Sequence, residues 1–200
     1  MSDNNRLIED IYQLGFHIID NFLPLQHFQS LQTTAKSLAA EGQFRSAKIG
    51  RQQQAAHNYT VRTDQICWVD EYQENPAIHT YLTKINDIAA TLNQSLFLGL
   101  VDFETHFAIY KPGSFYKKHI DQFKTTQDRR ISCVFYLNDT WEEAFGGELK
   151  LYDRNDDYLS SIIPIGNRFI CFISDLPHEV CQTKKTRYSI AGWMKTRAFR

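Results

Sequence analysis

The sequence predicts an α+β chain, mainly β: a β-sandwich or jelly roll with N-terminal helices packed on one sheet. Helical apolar spacing runs through the first hundred residues, and after Gly99 the apolar period drops to two. Turn signals, such as "KPG" at Lys111 and "GG" at Gly146, then cut the second half into strand-length pieces. Helices first and many short strands after is the pattern of a sheet pair with helices on one side.

The elements follow in order. Phe28, Leu31, Ala35 and Leu38 share one helical face after Pro24, and Gly42 closes that segment. Asn75-Pro76 reads as a cap followed by proline in the first turn. Ile78, Leu82, Ile85, Ala89 and Leu92 then form the apolar stripe of a second helix. Between the helices, "FRSAKIGRQQQAAHNYTVRTDQICWVD" is polar in the middle and strand-like at its end, which predicts a long exposed loop joining two strands. In "VDFETHFAIY", Val101, Phe103, Phe107 and Ile109 fall on one face, expected against the helices. Asp102, Glu104, His106, Ala108 and Tyr110 fall on the other, expected to face the interior. "ISCVFYLN", "GELKLY", "RFICFI" and "RYSIAGWM" read as further strands.

Two hundred residues, 42% of them hydrophobic, suit one domain: residues 1–98 as helical support and substrate-loop region, 99–200 as jelly-roll core. Net charge is -1 and no basic tract is dense. Lys184, Lys185 and Arg187, with Lys195, Arg197 and Arg200, read as a solvated rim, so no nucleic-acid partner is expected. Cys67, Cys133, Cys171 and Cys181 are scattered without a C-x-x-C pair, and three lie in apolar, strand-like contexts that suit buried thiols. No segment has the pattern of a secretion signal or a membrane span. A cytoplasmic protein with no membrane partner is the expectation.

The chemistry starts at "FYKKHID". On a strand, residues two apart point the same way, so His119 and Asp121 can offer an imidazole and a carboxylate to one ion. "LPHEV" supplies a third candidate, His178. Two His and a carboxylate with open positions form the facial triad of non-haem Fe(II) oxygenases, although zinc accepts the same ligands. Nine residues after His178, Arg187 opens "RYSIAGWM", a strand expected to run beside the metal strands. Its planar fork suits the far carboxylate of a metal-chelating dicarboxylate, and 2-oxoglutarate meets that requirement.

With these residues in place, the sequence resembles the Fe(II)/2-oxoglutarate-dependent prolyl 4-hydroxylases, particularly the hypoxia-sensing and bacterial enzymes. The resemblance runs from about Val61 to Met194 through "VRTDQICWVD", "YKPGSFYKKHID", "FYLNDTW", "GGELKLY", "NRFICFISDLPHEV" and "TRYSIAGWM". It implies a double-stranded β-helix (jelly roll) with iron on His119, Asp121 and His178. It also implies 2-oxoglutarate held by Arg187 and Tyr136, in a pocket with Tyr110, Leu149, Val180 and Trp193. Arg62 is implied at the substrate mouth, with Asp64 more structural, and the loop from Ser46 to Thr63 as a clamp over a peptide. The implied cosubstrates are 2-oxoglutarate and O2, with ascorbate as an optional stimulant. The implied partner is a protein containing proline, acted on by a monomer or weak homodimer. A hydroxylase of a free amino acid or small molecule, a nucleic-acid demethylase and a non-catalytic binding module stand as alternatives. His106, although on the inward face, reads as a structural histidine.

Overall fold

The computed structural model describes residues 3–48, 57–69, 75–122 and 126–197. Residues 49–56 of the loop expected to clamp a substrate lie outside them. Helix α1 (Asp3–Gln13) and strand β1 (Phe16–Ile19) come first. Neither stands out in the sequence, because α1 buries only Leu7 and Ile11 and β1 is four residues long. Helix α2 (Leu25–Ala40) buries the expected Phe28, Leu31, Ala35 and Leu38. It also buries Gln32, whose amide donates to the carbonyls of Leu137 and Asn138 and so ties the helix to the strand end beneath it. Helix α3 (Pro76–Leu96) starts as predicted, with the Asn75 side chain accepting from the Ala77 N–H at 2.9 Å. No helix among the described residues is long and apolar enough to cross a membrane.

The remaining strands are β2 (Arg45–Ser46), β3 (Gln65–Trp68), β4 (Asp102–Tyr110), β5 (Tyr116–His119), β6 (Arg129–Tyr136), β7 (Leu149–Tyr152), β8 (Tyr158–Ile162), β9 (Phe169–Ile173), β10 (His178–Val180) and β11 (Arg187–Lys195). They form a seven-stranded sheet in the order β1-β9-β6-β11-β4-β3-β2 and a four-stranded sheet in the order β5-β10-β7-β8. This is the jelly roll the strand pattern predicts.

The period-two pattern of β4 decides which side is which. Phe107 and Ile109 join Ile131, Cys133, Phe135, Ile190 and Met194 in the core shared with the three helices. Ala108 and Tyr110 turn inward and pack with Tyr136, Leu149, Leu151 and Val180 between the sheets. Val101 departs from the expectation: it precedes the strand and is 60% exposed.

Two other placements differ from the sequence reading. Strand β5 ends at His119, so Asp121 sits in the bend after it rather than on the strand. Strand β11 pairs with β4 and β6 in the large sheet, whereas β5 and β10 pair in the small one. Arg187 therefore reaches the site from the opposite sheet, not from a strand beside His119 and His178. A two-sheet fold closes its cavity from both sides, and sequence order does not say which sheet a strand joins.

Candidate metal and anion site

A cavity of about 680 Å³ opens between the sheets. At its small-sheet wall, His119 and His178 are cross-strand partners on β5 and β10. The bend after β5 brings Asp121 under both. Its Oδ1 lies 3.6 Å from His119 Nε2 and its Oδ2 3.4 Å from His178 Nε2. The three ligand atoms fall within 4.8 Å of one another. Each imidazole is aimed by its own backbone: His119 Nδ1 donates to the Lys117 carbonyl at 2.8 Å and His178 Nδ1 to the Leu176 carbonyl at 2.9 Å. A carbonyl can only accept, so Nδ1 carries the hydrogen and Nε2 turns to the centre, as a metal ligand must.

Further contacts hold the ligands in place. The Tyr116 ring stacks on His119 at 3.5 Å, and the Arg62 guanidinium lies 4.1 Å from the Tyr116 ring centre. Arg62 is in turn gripped by Asp64 through two bonds of 2.7 and 2.6 Å. Ser132 Oγ donates to Asp121 Oδ2 at 2.7 Å and meets Ser174 Oγ at 3.0 Å. Burial opposes the charge on Asp121, but His178 and the bonds from both imidazoles hold its carboxyl well below the usual range. Burial also lowers His178, yet the Asp121 charge overrides it and the net shift is upward. His119 is pushed down, by burial first and then by His178. The centre thus pairs a carboxylate with an imidazole whose proton a divalent ion would displace on binding.

The other end of the cavity buries a cation. Arg187, which composition alone assigns to a solvated rim, is 1% exposed. Its guanidinium lies 4.8 Å from the Tyr110 ring centre and 5.0 Å from that of Tyr136. Among the described residues it has no carboxylate partner, only Ser189 Oγ at 3.4 Å. Neither its Nε nor the Tyr136 hydroxyl makes a well-formed hydrogen bond, although hydroxyl and guanidinium lie close enough to interact. Gly147 makes room for it: φ there is +74°, and a Cβ would stand 3.3 Å from Arg187 Cδ. A buried cation with nothing to neutralise it is costly unless a ligand supplies the charge. Leu149 and Val180, paired across β7 and β10, wall the same space. Trp193 lines the cavity as well, but six residues along β11 from Arg187, in the rung of Ser132 and beneath the Arg129 guanidinium at 3.4 Å.

Residues 105–195 match the model of the 2OG-Fe(II) oxygenase superfamily. A Pseudomonas putida prolyl-4-hydroxylase structure superposes with a TM-score of 0.87 at 33% identity, covering 98% of this chain and 100% of that one. The chain belongs to this superfamily, alongside the prolyl 4-hydroxylases. A Trichoplax adhaerens prolyl hydroxylase, in complex with a peptide fragment of the hypoxia-inducible factor oxygen degradation domain, gives 0.85 at 26% identity over 96% of this chain and 88% of that one. A hypoxia-inducible factor prolyl hydroxylase of Caenorhabditis elegans is 25% identical over 94% of this chain, which spans 27% of that protein. The superfamily is named for 2-oxoglutarate and Fe(II), and the two ends of the cavity suit those two groups.

Sequence reasoning missed Ser132, Tyr116 and Ser174. The signal for Ser132 was present: it shares the inward face of "ISCVFYLN" with Tyr136. Tyr116 and Ser174 carry no such mark.

Proposed function

We propose that the protein hydroxylates a prolyl residue of a cytoplasmic protein, consuming 2-oxoglutarate and O2 and releasing succinate and CO2, with residues 1–200 acting as one catalytic unit. The observation that carries this reading is the pairing of an unneutralised buried arginine with a His-Asp-His cluster in one cavity. His119, Asp121 and His178 would hold Fe(II). Arg187 would bind the distal carboxylate of 2-oxoglutarate, with the Tyr136 hydroxyl as second donor and Tyr110, Leu149 and Val180 enclosing the chain. Bound iron supplies activation of O2 coupled to decarboxylation of the oxoacid. The protein's share is geometry and exclusion of water: apolar walls at Leu149 and Val180 keep the anion's surroundings dry, which strengthens its bond to Arg187. Arg62 holds the Tyr116–His119 stack on one side and lines the cavity on the other, so a contact to substrate would couple to the metal ligand.

The test is mass spectrometry of proteins from a host expressing the wild type or His178→Ala, alongside succinate release by the purified proteins. One added oxygen on proline, with succinate formed by the wild type alone, is the expected result. Zinc-supported hydrolysis without O2 consumption would overturn the oxygenase reading. Oxidation of free amino acids or nucleobases, with no protein modified, would overturn the substrate class.

A further inference from the structure

One polar group in the cavity has no task in that reading. His106, on the inward face of β4, is 4% exposed and lines the space between the sheets. Trp68 stands at 5.2 Å on one side and Trp193 at 5.4 Å on the other. Its Nδ1 is buried without a hydrogen-bond partner, and among the described residues Nε2 has none either. The register places it in a row across the large sheet, Trp68–His106–Ala191–Val134, whose other members are apolar or indole. That row lies four residues along the strands from the Arg187–Tyr110 rung, roughly 13 Å away, and two residues before the Trp193–Ser132 rung whose serine holds Asp121. Trp68, at the end of the row, is 40% exposed. His106 is thus removed from Arg187, in a row that runs out to that exposed indole.

We propose that His106 is a substrate-binding residue whose imidazole hydrogen-bonds the peptide group of the bound chain on the shelf between Trp68 and Trp193, selecting an amide-linked residue over a free amino acid. This rests on the reading of the protein as a prolyl hydroxylase. A neutral imidazole offers one N–H donor and one bare nitrogen, and a peptide group offers one carbonyl and one N–H. His106 is held neutral, with its titration pushed down to about 3, by burial first and then by Arg62. A free amino acid would bring a carboxylate and an ammonium to the same place, and both need charged partners once desolvated. The cations nearby are already matched, Arg62 to Asp64 and Arg129 to Glu104.

The experiment uses the purified protein with Fe(II), 2-oxoglutarate and, as probe, a tryptic digest of host-cell protein, with free L-proline run in parallel. Kinetics are then taken on the peptide most hydroxylated by the wild type. His106→Leu removes both nitrogens, and His106→Gln keeps a donor and an acceptor. His106→Leu is expected to raise the peptide KM by about tenfold, the loss of one hydrogen bond. The 2-oxoglutarate KM should stay the same, and the Tm should be unchanged or higher because the unpaired buried Nδ1 is gone. His106→Gln should recover most of the peptide KM, and L-proline should remain unmodified. An unchanged peptide KM in His106→Leu, a shift in the 2-oxoglutarate KM instead, or a glutamine variant no better than leucine overturns the assignment alone. A wild type that hydroxylates no peptide overturns the prolyl reading and this assignment together.

Discussion

Strands β4, β6 and β11 carry two faces on one backbone, and the two follow opposite rules. Toward the helices, Phe107, Ile109, Ile131, Phe135, Ile190 and Met194 are all at most 3% exposed, and the Phe135 ring packs on those of the helix side. Phe135 lies 5.4 Å from Phe22 and 5.6 Å from Tyr81. Toward the small sheet, His106, Tyr136 and Arg187 are buried as deeply but leave polar atoms without a well-formed hydrogen bond. The helix side holds one such atom among the described residues, Tyr81 Oη. Burial of apolar surface is repaid on the spot, whereas burial of an unpaired polar group is repaid only when a ligand arrives. One face stabilises the fold, and the other keeps part of that stability in reserve for binding.

The comparison can be broken by substitutions on either face. Phe135→Ala removes a ring with 0% exposure from the helix side and should cost about 3–5 kcal/mol of unfolding free energy. A shift in the denaturant midpoint at constant slope measures it, and a loss below about 1 kcal/mol would show that the helices do not depend on this face. Arg187→Met on the inner face should do the reverse. Exchanging an unneutralised buried cation for a side chain of similar length leaves stability unchanged or raises it. Binding of 2-oxoglutarate to the Mn(II)-loaded protein should weaken by about 2–5 kcal/mol, or thirty-fold to several thousand-fold. Calorimetric titration beside a thermal melt reads both quantities, and a variant that melts early while binding normally would invert the assignment of the two faces.

The smallest effect belongs to Ser132. Its hydroxyl occupies Asp121 Oδ2 and so leaves Oδ1 as the freer oxygen for a metal. Ser132→Ala should weaken metal binding by about tenfold to a hundredfold, as loss of an outer hydrogen bond to a ligand commonly does. Ser132→Thr, which keeps the hydroxyl, should restore it. A Co(II) titration followed by absorbance measures the affinity, and equal curves for wild type and Ser132→Ala would leave the serine with no part in the metal centre.

Legibility in the sequence followed range. The spacing of His119 and Asp121 and the separate His178 were enough to name the cluster, and Arg187 nine residues on to point to a side chain of the same cavity. Helices α2 and α3 showed in their apolar stripes and in the Asn75-Pro76 cap. Helix α1 and the strands β1 and β8 did not, because α1 buries two residues and β1 and β8 one each, which leaves little apolar pattern to read. The chain of contacts from Asp64 through Arg62 and Tyr116 to His119 joins two segments more than fifty residues apart, and no local pattern marks it.

The sequence alone determined the residue types of the chemistry and the alternation that sends them inward, since a period of two follows from backbone geometry wherever a strand forms. Which sheet each strand joins was left to tertiary structure. Only there did Arg187 come to face the metal cluster from the opposite side instead of lying beside it. Only there did His106 appear as an unpaired group between two indoles rather than a satisfied core histidine. Whether a buried polar atom has a partner depends on groups brought together across the fold, and that is a property of packing, which residue order does not carry.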